Sequence, residues 1–380
     1  MNISIIAGTF FPHAGGVQVE IHNVANKLIE KGHSVDVYVF KKIKLKNNLY
    51  RVVKINYFLL SFLYILKIFF NFKLIKIFNK FNLKFIKTDY DIYHFHFITF
   101  KSLILIEYLK FLKKKVLVTF HGADIQIKKN INYGFRINKK FNTYLKEIVK
   151  KIDGYQCISK NIYKDLLKIN IKNQKIFFIP NSIYLKKIKY KKSNDKYLNL
   201  ITVGRYAKYK KGFDLLPKIA NKLIQKKIKF KWKIIGKNSN KIYEDDFIAK
   251  NKKDIIAFDN IENNNETYFP PKELLKHYSN ANLYVNLARI ESFGLTFIES
   301  LACNTPIISF KSKGINEILK NKINGYFVNN VNELIKTIHK IYLNRSLNRK
   351  ISFNCKKTVE RFDLNKNYTK LISFYKKFTN

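Results

Sequence analysis

Two glutamates, Glu291 and Glu299, bracket the stretch of this 380-residue chain whose residue types and spacing best suit chemistry. Alternating apolar and polar residues at 282–287 predict a strand before the pair, and the apolar run at 295–302 predicts a helix after it. The pair therefore falls at the carboxyl end of a strand, where open α/β sheets bind ligands. Carboxylates accept hydrogen bonds from sugar or ribose hydroxyls, and Gly294 favours an anionic oxygen at the helix start. The plainer interpretation of each glutamate is a surface ion pair.

Cationic residues follow another predicted strand, at 198–203. Arg205 comes directly after it, and Lys210 and Lys211 lie a few positions further on. Arginine is scarce, with seven among 73 basic residues, so the abundance of lysine does not explain Arg205. A guanidinium beside a lysine suits a diphosphate. The alternative is a loop of solvated charges.

Histidines mark the ends of two predicted strands in the first half of the chain. His121 follows the strand at 116–120, and His96 lies near the end of the strand at 91–97. A histidine at the carboxyl end of a strand can point into a ligand cleft, although such residues are also often structural.

Strands and helices alternate along both halves of the chain, which predicts βαβ units and parallel sheets. The predicted strands are at residues 3–7, 34–40, 91–97, 116–120, 155–159, 176–179, 198–203, 231–235, 283–287 and 306–310. The predicted helices are at residues 18–31, 213–225, 272–279 and 295–302, followed by a largely helical tail at 331–378. Gly15 and Gly16 separate the first strand from the first helix, where they permit close approach of the backbone to a phosphate.

The basic, polar stretch at 185–197 is the predicted linker between two doubly wound, Rossmann-like α/β domains that face each other across a cleft. We expect a first domain at 1–190 and a second at 191–360. A C-terminal helix at about 361–380 is expected to pack back on the first domain.

The formal net charge of +47 predicts attraction to anionic membranes, nucleic acids or polyanionic glycans. A lysine-rich, glycine-poor composition is also typical of an A/T-rich coding sequence, and the composition leaves both explanations open. Lysines mixed with aromatic and aliphatic residues at 41–87 predict either an interfacial membrane patch or a core helix with solvated lysines. The longest apolar run there, at 57–70, is too short to span a bilayer.

The three cysteines are far apart and show no metal-ligand spacing, so we expect no zinc site and a reducing, cytoplasmic compartment. The first residues predict a buried strand rather than a secretion signal.

Taken together, in this order and spacing, the motifs resemble the retaining glycosyltransferases of family GT4, which have the GT-B fold. The resemblance covers nearly the whole chain and rests on Gly15-Gly16, 32–35, 91–96, His121-Gly122, 203–205, Lys211-Gly212, 291–299, 301–306 and 324–328. The chain departs from the family pattern at several positions, including Ser292 and Asn304. Its loop from Arg205 to Gly212 is one residue longer, so Lys210 and Lys211 compete for one role.

The resemblance implies a role for individual positions. The catalytic residues would be His121, Arg205, Lys211 and Glu291. The donor-binding residues would be Gly15, Gly16, Lys210, Phe293, Gly294, Leu295, Thr296 and Glu299. Cationic side chains would hold a diphosphate, Glu291 and His121 would bind sugar hydroxyls, and Glu299 would bind the ribose. His96 and Asp124 would be candidates on the acceptor side.

We therefore expect a retaining enzyme that moves a hexose-type sugar from a nucleotide-diphosphate sugar, UDP or GDP, to a lipid-linked or polysaccharide acceptor. The polysaccharide would be of the lipopolysaccharide or capsule type. We expect no metal or other cofactor, no specific nucleic acid, and a cytoplasmic location on the inner face of an anionic membrane. The alternatives are a GT-B nucleotide-sugar epimerase and, from another class, a basic nucleic-acid-binding protein.

Overall fold

A computed structural model describes residues 1–11, 15–41, 48–70, 72–81, 83–185, 196–259, 261, 267–312 and 314–379. Parts of the basic region at 41–87 and most of the predicted linker at 185–197 lie outside the described residues. The chain divides into two compact units. Unit 1 comprises Met1–Asn181 and Leu364–Asn380, and unit 2 comprises Ser182–Asp363.

Unit 1 is built on a parallel sheet whose strands are rich in buried β-branched and aromatic residues. Its strands are β1 (Asn2–Ala7), β2 (Ser34–Val39), β3 (Arg51–Lys54), β4 (Ile92–His96), β5 (Val116–Thr119), β6 (Gly154–Cys157) and β7 (Ile176–Phe178). The helices between them are α1 (Gly16–Glu30), α2 (Tyr57–Phe70), α3 (Leu74–Lys80), α4 (Phe100–Phe111), α5 (Lys139–Ile148) and α6 (Lys160–Leu167). The strands lie in the order β3-β2-β1-β4-β5-β6-β7.

Unit 2 repeats this arrangement with a second parallel sheet. Its strands are β8 (Leu198–Val203), β9 (Phe230–Ile235), β10 (Ile255–Phe258), β11 (Leu283–Asn286), β12 (Ile307–Phe310) and β13 (Gly325–Val328). Its helices are α7 (Leu216–Gln225), α8 (Asp246–Lys250), α9 (Lys272–Asn280), α10 (Leu295–Ala302), α11 (Val331–Leu343) and α12 (Arg345–Val359). The order is β10-β9-β8-β11-β12-β13. The last helix, α13 (Leu364–Thr379), belongs to unit 1 and packs against α1.

In each sheet, successive strands are first added on one side of the first strand and then on its other side. We call the position between these two sides the change of direction. In unit 1 the chain runs outward from β1 to β3 and resumes on the other side of β1 with β4. In unit 2 the same change separates β8 from β11. Loops that follow the two central strands diverge at such a point, which leaves room for a ligand at the carboxyl edge of the sheet.

A buried hydrogen-bond chain fixes the centre of unit 2 near its change of direction. Trp232 in β9 is fully buried, and its indole N–H donates to Thr202 Oγ1 at 3.0 Å. The Thr202 hydroxyl in turn donates to the carbonyl oxygen of Val285 in β11 at 2.7 Å. These contacts join three neighbouring strands just below the loops that follow β8 and β11, so those loops start from a rigid base.

Candidate active site

The loops after β8 and β11 are tied together at the carboxyl edge of the unit 2 sheet. The Arg289 guanidinium forms a bidentate ion pair with Asp214, with both distances at 2.7 Å. The Arg289 backbone N–H donates to the carbonyl oxygen of Lys210 at 3.0 Å. A Cβ at Gly212 would lie 2.0 Å from the carbonyl oxygen of Leu287, and φ there is +74°. Only glycine fits this approach, which brings the cationic loop against the loop that carries Glu291.

The predicted cations gather in this region. Lys211 Nζ lies 2.8 Å from Glu291 Oε2 in an ion pair whose two side chains are mostly buried. The pKa of Lys210 is lowered to about 8, first by burial and then by the positive charges of Lys211 and Arg205. Arg205 itself is exposed. Three positive groups that repel one another at a sheet edge form a site that an anion would stabilise.

Helix α10 starts immediately beside these cations. Gly294 precedes its first residue with φ +95°, and no side chain caps the helix. Because the first turn of an α-helix has N–H groups without intrahelical partners, the amides near Leu295 and Thr296 form a second anion-binding element. Thr296 is held from behind, since its Oγ1 accepts a hydrogen bond from Tyr284 at 2.9 Å.

Glu299 lies on the buried side of α10. Its side chain is almost fully buried, and Oε2 accepts a hydrogen bond from the Tyr278 hydroxyl at 3.0 Å. Burial raises the pKa of Glu299 to about 7, although the bond from Tyr278 acts in the opposite direction. The buried position of Glu299 differs from the surface ion pair that the sequence left open as the plainer interpretation. A buried carboxylate of this kind gains from further hydroxyl donors, which ribose would supply.

The structure also shows contacts that sequence reasoning missed. A Cβ at Gly314 would lie 1.8 Å from the carbonyl oxygen of Glu291, so this glycine allows the Glu291 loop to take its position. Phe293 is buried and packs edge-on against Phe362, with ring centroids 5.7 Å apart. The scarcity of glycine was a usable signal for Gly314, whereas nothing in the local pattern indicated Phe362 or the tyrosines behind α10.

In unit 1, the ends of β1 and β4 come into close contact. The Gly8 backbone N–H donates to the carbonyl oxygen of His96 at 2.9 Å, and a Cβ at Gly8 would lie 1.7 Å from the Phe97 carbonyl oxygen. Gly15 precedes α1 in an extended conformation and has no side chain to cap the helix, so the first turn at Gly16 has amide groups without intrahelical partners. Residues 12–14 of this loop lie outside the described part of the chain.

His96 and His121 form a buried pair at the ends of β4 and β5. His96 Nδ1 lies 3.1 Å from His121 Nε2, and the two rings stack. Burial lowers the pKa of His96 to about 3, and burial with the adjacent His96 holds the pKa of His121 well below its ordinary value. Both rings are therefore neutral. Two neutral rings joined by one N–H···N bond retain one donor nitrogen and one acceptor nitrogen, whichever tautomers they adopt.

Those two remaining nitrogens are His96 Nε2 and His121 Nδ1. Both are buried, and neither has a hydrogen-bond partner within the described ranges of the chain. Because an unsatisfied buried polar atom is costly, the pair is suited to a ligand that supplies hydroxyl groups.

Asp124 holds the loop that carries His121. Its carboxylate is fully buried and accepts hydrogen bonds from the backbone N–H groups of Ile98, His121 and Gly122 at 2.8–3.0 Å. Burial nevertheless raises the pKa of Asp124 to about 7. These contacts are those of a positioning residue, whereas the acceptor role predicted for Asp124 and His96 stays a prediction.

A third histidine supports this pair from the interior. His94 Nδ1 lies 2.7 Å from the Tyr375 hydroxyl in α13, and His94 Nε2 lies 2.7 Å from Thr119 Oγ1. Sequence reasoning gave no role to Tyr375, which is 281 residues away from His94 along the chain.

The predicted site residues thus form two groups, one in each unit. Among the described residues, no group of three or more His, Cys, Asp or Glu side chains is arranged to hold a metal ion. None of the helices in the described ranges has the length and apolarity needed to cross a bilayer.

Two Rossmann-like units, each built on a parallel sheet with a change of direction, fit the GT-B fold. Residues 14–187 match the family Glycosyltransferase Family 4, and residues 185–358 match Glycosyl transferases group 1. The chain belongs to the GT4-type glycosyltransferases with the GT-B fold.

Individual relatives agree with this assignment. An uncharacterized glycosyltransferase of Methanocaldococcus jannaschii is 29% identical over 66% of this chain, and the match spans 65% of that protein, slightly under two thirds of its length. The alpha-monoglucosyldiacylglycerol synthase of Streptococcus pneumoniae is 24% identical over 86% of this chain and 74% of its own. Among solved structures, Anabaena HepE in complex with UDP-glucose superposes with a TM-score of 0.73 at 14% identity, covering 99% of this chain and 100% of that one.

Proposed function

We propose that the protein is a retaining hexosyltransferase that uses a nucleotide-diphosphate sugar as donor. The observation that supports this most strongly is the composition of the unit 2 site. Cations, an uncapped helix start and a buried carboxylate occur together at the change of direction between β8 and β11. The cations and the helix start suit the diphosphate of such a donor, and the buried carboxylate suits its ribose.

In this proposal the diphosphate binds Arg205, Lys211 and the first amides of α10. The ion pair with Glu291 fixes the Lys211 ammonium at 2.8 Å from the carboxylate. Glu291 then has a second oxygen for sugar hydroxyls, and Glu299 accepts hydrogen bonds from the ribose. Lys210, with its lowered pKa, takes up a proton as the anion binds. Both lysines therefore contribute, which is how we resolve their competition for one role.

The unit 1 residues act on the sugar and the phosphate in the roles that the family resemblance implies. His121 bonds a hydroxyl of the donor sugar through the nitrogen that the His96 pair leaves available. Gly15 and Gly16 approach a phosphate through their backbone. These roles remain predictions.

The reaction that we propose transfers the sugar with retention. The bond between the anomeric carbon and the phosphate oxygen breaks, and the acceptor hydroxyl oxygen bonds to that carbon on the same face. The departing phosphate oxygen takes the acceptor's proton. Positive charge at Arg205, Lys210 and Lys211 stabilises the negative charge that develops on the leaving diphosphate, which lowers the barrier electrostatically.

The donor is a UDP-sugar or a GDP-sugar, and the HepE complex with UDP-glucose supports UDP. The acceptor is a lipid-linked or polysaccharide glycan, for which the name of the pneumococcal relative favours the lipid. The net charge of +47 would bring the enzyme to the anionic inner face of the cytoplasmic membrane.

A transfer assay tests this function. The protein is incubated with UDP-, GDP- and ADP-hexoses in the presence and absence of diacylglycerol vesicles, and products are analysed by NMR for composition and anomeric configuration. We expect acceptor-dependent transfer with the donor's α configuration retained. Epimerised nucleotide sugar without acceptor would instead indicate the epimerase alternative, and an inverted product would contradict retention.

Matched lysine variants connect the assay to the site. Lys211→Ala is expected to reduce kcat/KM about a hundredfold. The substitution removes a positive charge that stabilises the leaving diphosphate, and it leaves Glu291 without its ion-pair partner. Lys208→Ala changes an exposed lysine of the same loop and is expected to stay within about threefold of the parent protein. Equal effects of the two substitutions would contradict the assignment of Lys211.

A further inference from the structure

Helix α2 in unit 1 has apolar side chains on both of its faces. On one face Leu60 and Leu63 are buried where the helix packs against α4. On the other face an outward stripe of apolar side chains is exposed. This stripe consists of Phe58, Phe62, Ile65 and Phe69, which are 81%, 51%, 46% and 65% exposed. Their spacing of four, three and four residues places them in one line along the helix.

The only charged residue of α2 points away from this stripe. Lys67 is largely buried on the protein side, where Nζ lies 3.3 Å from Glu147 Oε2 and 5.1 Å from the centre of the Tyr144 ring. A helix on the surface of a water-soluble protein normally turns its charges outward and its apolar residues inward. In α2 the charge is inside and the phenylalanines are outside, so ordinary solvation does not explain the outer face.

The segment of the chain that contains α2 is basic. Residues 37–88 contain twelve lysines and arginines and no aspartate or glutamate. Lys73, Lys76 and Lys80, in and before α3, are exposed. The ammonium of Lys140 lies 4.3 Å from the centre of the Phe69 ring at the end of the stripe. Apolar rings bordered by lysines complement a lipid bilayer, which has an apolar interior and, where the lipids are anionic, negatively charged headgroups.

We propose that the outward stripe of α2 inserts into the interface of an anionic lipid bilayer, with the helix lying in the membrane plane. The helix has 14 residues and is about 21 Å long, too short to cross the roughly 30 Å hydrocarbon core. The lysines around it contact lipid headgroups. The inference rests on the proposed function for its purpose, since insertion would bring unit 1 to a membrane-anchored acceptor.

Flotation of the full-length protein with vesicles tests the insertion. The protein is mixed with vesicles of phosphatidylcholine alone or of an equimolar mixture with phosphatidylglycerol. We expect at least about tenfold stronger partitioning to the anionic vesicles. The double variant Phe58→Ser/Phe69→Ser is expected to lose at least about tenfold of that partitioning, because two exposed rings no longer enter the bilayer.

Phe353→Ser provides a matched control. Phe353 in α12 of unit 2 is 81% exposed, the same fraction as Phe58, but lies outside the stripe. The Phe353→Ser variant is expected to float with anionic vesicles to the same extent as the parent protein. Thermal shifts with UDP and with GDP are recorded for all three proteins and should be equal among them. Loss of flotation with a normal nucleotide shift then concerns the stripe alone, whereas no shift with either nucleotide in any protein would concern the proposed function.

A fluorescent reporter gives a second readout. The chain has one tryptophan, Trp232, which is fully buried in unit 2 and contributes a constant background. In Phe62→Trp, addition of anionic vesicles should shift the emission to the blue and make it quenchable by brominated lipid chains.

Three outcomes would overturn the proposal. The first is flotation of Phe58→Ser/Phe69→Ser at the level of the parent protein, which would mean that basic charge alone binds the vesicles. The second is no flotation of the parent protein with either vesicle. The third is unchanged flotation together with a dimer in the parent protein that the double variant converts to a monomer, which would assign the stripe to a contact between copies of this chain.

Discussion

At the scale of single residues, the site depends on ionisable groups whose surroundings set their charge. Lys211 and Glu291 neutralise each other at 2.8 Å, whereas Glu299 is buried against one hydroxyl donor. His96 and His121 are neutral because they are buried. Each of these states requires a specific neighbour, so substitutions that change the neighbour should have effects that can be measured separately.

Glu299 makes the stability of unit 2 depend on pH. Its pKa in the folded protein is about 7, above the ordinary value of 4.5, so the folded state binds the proton more tightly than the unfolded state does. The resulting stabilisation is complete below pH 4.5 and is lost as the pH rises through 7. Glu299→Gln keeps the acceptor for Tyr278 but does not ionise. We expect it to be more stable than the parent protein at pH 8.5 by on the order of 2 to 3 kcal/mol.

Thermal unfolding of both proteins at pH 5 and pH 8.5 measures this difference. Asp124, whose pKa is also raised to about 7, is present in both proteins and cancels in the comparison. A difference in melting temperature that is the same at both pH values would contradict the buried, titrating carboxylate.

His96 is expected to act through His121. In His96→Leu the hydrogen bond to His121 Nε2 is lost, and a buried ring nitrogen is left without its partner. We expect kcat to fall about ten- to a hundredfold, with a smaller change in the KM for the donor. His96→Asn, whose amide can replace Nδ1, should restore part of kcat. If His96→Asn is no better than His96→Leu while both fold normally, the positioning role is wrong.

At the scale of elements, two close approaches of backbone shape the loops of unit 2. Gly212 lets the cationic loop contact Leu287, and Gly314 lets the next loop pass the carbonyl oxygen of Glu291. In both contacts the two residues are separated along the chain by more residues than any helix or strand contains. The helices and strands provide the rigid edge, and these glycines determine how closely the loops converge on it.

Gly314→Ala is expected to displace the Glu291 loop. A Cβ would lie 1.8 Å from the Glu291 carbonyl oxygen, and backbone cannot yield as a flexible side chain would. We expect at least about tenfold weaker binding of a nucleoside diphosphate, measured by calorimetry. Gly32→Ala is the control, since φ there is +79° but no atom lies within 4 Å of its Cβ. It should cost about 1 kcal/mol of stability and leave binding unchanged. Equal binding by both variants would contradict the role of Gly314.

The elements were partly predictable from the sequence. Strand β8 and helix α10 have the predicted limits, because alternation and a glycine before an apolar run are local signals. Strands β3, β10 and β13 were missed. Each has four residues and lies at an edge of its sheet, so little of its sequence is constrained by burial. Phe213–Leu215, predicted as α-helix, forms a 3-10 turn, and α7 begins at Leu216 with Pro217 in its first turn.

The candidate site, like the elements, was predictable where the signal is local and not where it depends on contacts between distant residues. The two glutamates and the cations stand out by type and spacing within short segments. Tyr278, Tyr375 and Asp214 act through contacts across 21 to 281 residues, which no local pattern encodes. The sequence left the region at 41–87 open between a core helix and a membrane patch. In its described part, α2 has one buried apolar face and one exposed apolar face.

At the scale of the whole molecule, the chain forms two units that each have a sheet, and our proposals assign different functions to them. The diphosphate, sugar and ribose contacts that we propose for unit 2 all lie within Ser182–Asp363. The outward stripe of α2 and the pair formed by His96 and His121 belong to unit 1. This division predicts that donor binding and membrane binding are separable properties.

Expression of residues 182–363 as a fragment tests the division. Because its core includes the fully buried Trp232, we expect cooperative unfolding and binding of UDP or GDP within about tenfold of the full chain. The fragment should not float with anionic vesicles as the full chain does. A fragment that is folded but does not bind either nucleotide would contradict the assignment of the donor site to unit 2.

The most direct test of the central claim compares nucleoside diphosphates with monophosphates by calorimetry. If cations at the edge between β8 and β11 hold a diphosphate, UDP should bind at least about tenfold more tightly than UMP, or GDP more tightly than GMP. In Arg205→Ala/Lys211→Ala that preference should disappear. Equal affinity for the diphosphate and the monophosphate in the parent protein, or an unchanged preference in the double variant, would contradict the account.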